Sequence, residues 1–155
     1  MSEGRIRVKV VCVLRRGPQL LLSFAIDPDT GARYGRLLGG GIEPGERSED
    51  AVRREFQEEI SAELTNLRRL GVVENIFTWR GQLHHEVIFV FTADFADRAF
   101  YAREAFVVNE AVCDGPAEWV DLQRVLSGDV TVYPHAILPL LEEPTPVGGG
   151  PSNLA

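Results

Sequence analysis

A chain of 155 residues with 45% apolar side chains is long enough to bury one compact core, and a second catalytic domain is not expected. Its formal charge of −7 argues against the basic face that broad nucleic-acid binding needs, and no apolar run approaches the length that crosses a bilayer. The first ten residues, MSEGRIRVKV, carry charges throughout, and Cys12 and Cys113 stand far apart, so a cytoplasmic protein with reduced cysteines and no membrane partner is expected.

In chain order, Arg5 to Leu14 alternates around Val8, Val10 and Val11, and Gln19 to Phe24 is a second apolar run; the Gly17-Pro18 turn makes them a hairpin. Asp27 to Gly35 is turn-rich. Asp27 and Asp29 resemble the start of a calcium loop, but the remaining ligand spacing is missing. Arg36 to Leu38 reads as a short strand delivering the chain to Gly39. After a helix described below, Leu67 to Phe77 and His84 to Ala93 read as paired strands with Arg80-Gly81 between them. Residues 94–117 read as a loop with one helical turn. Glu118 to Val120 returns to the sheet, Asp121 caps a short helix to Leu126, and Pro134 to Leu141 suits a terminal helix. Residues 1–142 are thus expected to form one domain, and 143–155, EPTPVGGGPSNLA, an unstructured tail.

The helix follows three glycines. GGIEPGERSEDAVRREFQEEISA, Gly40 to Ala62, places Glu58, Glu55 and Glu59 near roughly −20°, 40° and 80° on a helical wheel, while Ala51, Val52, Phe56 and Ile60 form an apolar stripe at roughly 0° to 180°. Three like charges on one partly sheltered arc oppose one another, and the crowding makes sense if a divalent cation sits among them. Ser48 reads as the N-cap, and Arg54 stands one turn before Glu58. Gly39 to Gly41 allow close approach of backbone carbonyls. They lack the Gly-Lys-Ser/Thr of a P-loop and the third glycine of a dinucleotide fingerprint.

This segment resembles the Nudix box, Gly-x5-Glu-x7-Arg-Glu-U-x-Glu-Glu-x-Gly-U with U a bulky apolar residue, through Gly40, Glu46, Arg54, Glu55, Phe56, Glu58 and Glu59. Ser61 stands where the pattern has Gly, so the turn at the helix end is expected to have adjusted and Ser61 to avoid positive φ; Ala62 stands where the pattern has a bulky residue. The resemblance implies an α/β fold, an α/β/α sandwich with a mixed sheet. It also implies an acid anhydride hydrolase that cleaves the diphosphate linkage of a nucleoside diphosphate joined to another moiety, by water attack at phosphorus. By that resemblance Glu55, Glu58 and Glu59, with a carbonyl of Gly39 or Gly40, hold Mg²⁺ or Mn²⁺, and Glu46 and Arg54 brace the loop against the helix.

Several residues outside the box are candidates. By the same resemblance the general base comes from the box or from a later loop, where Glu104 and Glu110 are candidates; Glu86 shares a strand face with Ile88 and Val90, from which it can face inward and add a ligand, and His84 and His85 beside it are candidate phosphate contacts. Trp79, Phe77 and Tyr34 are candidate aromatic platforms for a base, while Trp119 reads as core. An exposed Trp79 has two readings, a stacking surface or a homodimer contact. Thr78 and Trp79 occupy the places where ADP-ribose and diadenosine polyphosphate hydrolases of the family carry proline and tyrosine, so neither substrate is indicated. A nucleotide-binding protein without turnover is the alternative, and such proteins lose acidic box positions that this chain keeps. An isoprenoid diphosphate isomerase would need a cysteine and acid pair that neither cysteine supplies.

Overall fold

In the computed structural model, residues 4–109 and 115–142 are described. Glu110, Cys113 and the tail therefore lie outside the described residues.

The organising element is β1 (Ile6–Arg16), whose middle, Val10 to Leu14, is apolar on both faces and fully covered. Along one edge it runs parallel to β6 (Gln82–Phe95), from Ile6 opposite His85 to Leu14 opposite Ala93. Along the other edge it has two partners in succession. The glycine strand β4 (Leu38–Gly41) pairs with Lys9 to Cys12, and β2 (Gln19–Ile26) pairs with Arg15 and Arg16. β5 (Leu64–Trp79) pairs with β6 at one end of the sheet; β8 (Ala117–Asp121) and the two-residue β7 (Ala105–Phe106) extend it beyond β2, and β3 (Arg33–Arg36) pairs with the second half of β2. Mixed parallel and antiparallel pairing with helices on both faces gives the expected α/β/α layering.

One face of the sheet meets α1 (Ser48–Ile60) through the stripe read from the sequence: Ala51, Val52, Phe56 and Ile60 pack with Val10, Cys12, Leu14 and Phe91. The opposite face carries Val11, Val13, Ile88 and Val90 under α2 (Leu122–Leu126), a 3₁₀ turn at His135–Ile137 and α3 (Leu138–Leu141). Cys12 is buried and Trp119 is core, its indole N–H donating to the Arg103 carbonyl at 2.8 Å.

The two hairpins fall where the turn residues put them. Arg80 and Gly81 both have positive φ, the two-residue turn whose twist matches the strands. Asp27 spends its carboxylate on its own turn, accepting the Asp29 amide at 2.8 Å, which accounts for the isolated calcium-like spacing. Part of the expected loop, Arg33 to Gly35, is strand because β2 runs on to Ile26 and pairs with it. The 94–117 segment contains its helical turn, Arg98–Ala102, begun by Asp97, whose side chain accepts the Ala99 amide.

Two expectations about α1 are corrected. Ser48 is the first helical residue rather than the cap; Arg47 precedes it in extended conformation and no side chain caps the helix. Ser61 was expected to avoid positive φ, yet it ends α1 with φ 55° and ψ 38°. Its amide reaches the Gln57 carbonyl and the Ala62 amide reaches Phe56, the paired bonds of a left-handed helix terminus. A side chain there costs about 1 kcal/mol relative to glycine. Ser61→Gly is accordingly expected to raise unfolding stability by about 1 kcal/mol, read as a higher urea midpoint at unchanged slope. An unchanged midpoint would show that the terminus carries no strain.

Candidate active site

Because β4 pairs with β1, the glycines are drawn under α1, and the absence of their side chains sets the distance between helix and sheet. A Cβ on Gly39 would run into the Val10 carbonyl, and one on Gly40 would occupy the space of the Glu55 carboxylate. Glu55 therefore rests directly on the Gly40 backbone.

Arg54 organises the acidic arc. Its Nε and Nη2 donate to the two oxygens of Glu46 at 2.8 and 2.9 Å, Nη2 also donates to the Gly41 carbonyl at 2.9 Å, and Nη1 donates to Glu55 at 3.0 Å and Glu58 at 3.2 Å. The hydrogen bonds from Arg54, with a further one from the Glu43 amide, hold the Glu46 carboxyl below its usual range, and Glu46 in turn raises the Arg54 guanidinium. A depressed carboxyl stays charged at neutral pH, so this brace is lost only as pH falls through the lowered value. Glu59 is the most sheltered of the arc, 4% exposed, whereas the Glu58 side chain is 56% exposed.

Glu55, Glu58 and Glu59 line a cavity of about 290 Å³ together with Gly39, Gly40 and Gly41. Three cations line it too: Arg7 and Lys9 from β1 and Arg36 from β3. Apolar Val11, Ile88 and Ile137 and, besides them, Asn109, Tyr133 and Pro134 also line the cavity. Tyr133 is partly exposed, and its ring meets Tyr34 at 5.2 Å and His135 at 4.7 Å between centroids.

The residues foreseen in the box, Gly39, Gly40, Glu55, Glu58 and Glu59, are brought together, with Arg54 and Glu46 tied to them. The outlying candidates fare differently. Glu86 does share a face with Ile88 and is buried, but its carboxylate is engaged by Lys9 at 3.6 Å and by the Asn75 amide at 3.2 Å, and it does not line the cavity. It positions Lys9. Trp79 does not line the cavity either: its partner Gln82 is six residues along β6 from Ile88, about 20 Å at ordinary strand rise. Glu104 is exposed and pairs with Arg16 at 3.3 Å, away from the cavity. His84 stacks on Phe77 and His85 faces Glu74, neither at the cavity. Glu110 lies outside the described residues, next to Asn109, whose amide donates to the Glu59 carbonyl at 2.9 Å.

Arg7, Lys9, Arg36, Asn109 and Tyr133 were not foreseen. Arg7 and Lys9 left a trace, since cations at alternate positions ahead of an apolar strand interior mark one face. Tyr133 left none, because it reaches the cavity from a loop distant in sequence.

The sequence profile of the NUDIX domain matches residues 5–140. The chain belongs to the Nudix family. A similar curated relative is the nucleoside triphosphatase NudI of Escherichia fergusonii, 46% identical over 57 residues, which is 36% of this Nudix chain and 40% of that protein. Another is the NAD-capped RNA hydrolase NudC of Pseudomonas putida, 36% identical over 70 residues, 45% of this chain and 25% of that protein. The chain thus spans less than half the length of these relatives. Among solved structures it resembles a MutT NUDIX hydrolase from Burkholderia pseudomallei, with TM-score 0.65 and 28% identity over 91% of this chain and 99% of that one. A NUDIX hydrolase from Nitrosomonas europaea, at 19% identity and TM-score 0.63 over 89% and 87%, shares the fold.

The donor set suits a hard divalent cation: three carboxylates and glycine carbonyls, all oxygen, with Gly40 lacking the side chain that would displace the Glu55 carboxylate from beside its backbone. In the present rotamers no three acidic, His or Cys side chains among the described residues stand gathered as a cage, and Arg54 instead spans Glu55 and Glu58. No helix among the described residues is long and apolar enough to cross a membrane.

Proposed function

We propose that this Nudix protein is a pyrophosphohydrolase that cleaves a nucleoside diphosphate derivative by water attack at phosphorus, using Mg²⁺ or Mn²⁺. The observation that carries this reading is the mixed lining of one cavity, which brings acidic Glu55, Glu58 and Glu59 together with cationic Arg7, Lys9 and Arg36. Anionic substrate placed against carboxylates alone would be repelled, and a cationic wall alone would bind phosphate without activating water.

Glu55 and Glu59, the sheltered pair one turn apart, with a Gly39 or Gly40 carbonyl, would hold the cation. Once bound, it offsets charge on the phosphate oxygens and makes water a better nucleophile near neutral pH. Arg7, Lys9 and Arg36 take the remaining phosphate charge and fix the chain for in-line displacement, in which the water oxygen bonds to phosphorus as the bridging P–O bond breaks. Glu58, the carboxylate of the arc most open to solvent, accepts the proton of the attacking water. Arg54 and Glu46 hold the helix and the glycine loop in register. Glu110 remains a candidate for substrate contact through its place beside Asn109.

Three cations in the cavity lining favour a substrate with charge beyond the scissile linkage, so a nucleoside triphosphate is the first compound to test, in keeping with the similarity to the nucleoside triphosphatase NudI. The base is assigned to Tyr133 rather than Trp79. Stacking a base on an aromatic is worth about 1–3 kcal/mol, so Tyr133→Ala is expected to raise KM by about five- to a hundredfold with a smaller change in kcat. Trp79→Ala should leave KM unchanged. The opposite pattern in steady-state kinetics would return the base to Trp79.

A further inference from the structure

The loop that carries Tyr133 is fastened to β3 at one residue. The Gly35 amide donates to the Thr131 carbonyl at 2.7 Å, the Tyr133 amide donates to the Gly35 carbonyl at 3.0 Å, and Val132 pairs with Gly35 as a parallel bridge. Gly35 is buried, and an added Cβ would meet Leu22 at 3.0 Å and Phe24 at 3.3 Å, so the strand sits this close to β2 only with glycine. Tyr133 is thus held by backbone bonds to the sheet, beside the cavity it lines.

Two more rings stand around it. Tyr34 lies at 5.2 Å between centroids with planes at 65°, and His135 at 4.7 Å with planes at 63°. Rings that meet at such angles make corners rather than a closed stack, and Tyr133 keeps 43% of its surface exposed. Tyr34 and Arg36 are two residues apart on β3, hence on one face and about 7 Å from each other, and Arg36 lines the cavity. A single ribose separates a base from its first phosphate. A nucleotide with that phosphate at Arg36 therefore brings its base to the corner between Tyr34 and Tyr133.

We propose that Tyr34 is a specificity-determining residue and that the corner it makes with Tyr133 selects purine nucleotides. A pyrimidine laid on Tyr133 covers that ring alone. The fused rings of a purine reach beyond it and gain a second aromatic contact, which at the usual strength of such pairs gives a purine preference of about three- to tenfold. Tyr34 supplies this contact rather than His135, because Tyr34 is half-buried on the strand that carries Arg36, whereas His135 is exposed. The assignment rests on the base lying at Tyr133, as in the proposed function, and does not depend on metal or turnover.

Adenosine monophosphate and cytidine monophosphate, titrated without metal into isotope-labelled protein and followed by NMR, separate base recognition from chemistry. The amides of Tyr34, Tyr133 and His135 are expected to shift, and the adenosine nucleotide to bind about three- to tenfold more tightly. Tyr34→Ala should weaken adenosine monophosphate to the level of the cytidine nucleotide and leave the latter nearly unchanged. Tyr34→Leu, which fills the place without a ring, should do the same, and Tyr34→Phe should keep the preference. If Tyr34 only braced Tyr133, the Ala and Leu substitutions would weaken both nucleotides alike and preserve their ratio, and that result overturns the proposal. Equal affinity in the wild-type chain overturns it as well, as does a titration that leaves the three amides unmoved. A chain that shows the preference yet hydrolyses no nucleotide loses the catalytic reading and keeps this one.

Discussion

Glu59→Gln is expected to lower metal-dependent turnover by about a thousandfold at saturating substrate while the folded state persists. Several kcal/mol of transition-state stabilisation rest on the cation, and each 1.4 kcal/mol is about tenfold in rate. Glu59 is the most buried carboxylate of the arc, so no water-exposed rotamer substitutes for it, and Gln keeps its volume while removing the charge. Stability without metal should hold or rise, because one of three crowded like charges is gone. Steady-state kinetics with a Mg²⁺ titration, alongside a thermal melt, separates the two effects. Near wild-type kcat at saturating metal would reject the ligand assignment.

Adjacent glycines should respond to alanine in opposite ways. At Gly39 the added Cβ meets the Val10 carbonyl and the Val11 backbone, which cannot move without opening the β1–β4 ladder. Gly39→Ala is therefore expected to destabilise the fold by about 3 kcal/mol or more, at the severe end of overpacking. At Gly40 the added Cβ meets only the Glu55 carboxylate, the far end of a flexible side chain. Gly40→Ala should keep most of the stability and lose activity, because Glu55 must leave the place from which it would hold the cation. Urea unfolding and turnover measured on both variants check the contrast. Equal loss of stability in the two would mean that Glu55 is held as rigidly as backbone.

The division between what the chain announced and what it concealed follows the range of the interactions. α1 was legible because its stripe, Ala51, Val52, Phe56 and Ile60, and its acidic arc are both set by local helical periodicity. The hairpin turns were legible because Gly17-Pro18 and Arg80-Gly81 fix their own backbone. The glycines were recognised as a place of close approach, but what approaches them, Val10 at one and Glu55 at the next, depends on strand pairing across thirty residues of chain. The cations of the cavity were missed for the same reason: Arg7 and Lys9 share its lining with the glutamates because β4 lies beside β1. Trp79 shows the converse error. The aromatic beside the Arg-Gly turn is partly exposed as expected, yet exposure says nothing about distance from a site, and the length of the β5–β6 hairpin carries it away from the cavity. At Ser61 the missing glycine was read as a turn that had adjusted, whereas the helix terminus keeps its left-handed geometry and accepts serine there.

The most direct test of the account is hydrolysis in ¹⁸O-labelled water, with nucleoside triphosphates and nucleoside diphosphate derivatives offered in turn, with and without Mg²⁺, and products followed by phosphorus NMR. The account predicts cleavage of a diphosphate linkage only when Mg²⁺ is present, with one label in a phosphate of one product and none in the other. Cleavage that proceeds equally after chelation, or tight nucleotide binding with no turnover across the whole panel in Mg²⁺ and in Mn²⁺, would contradict it.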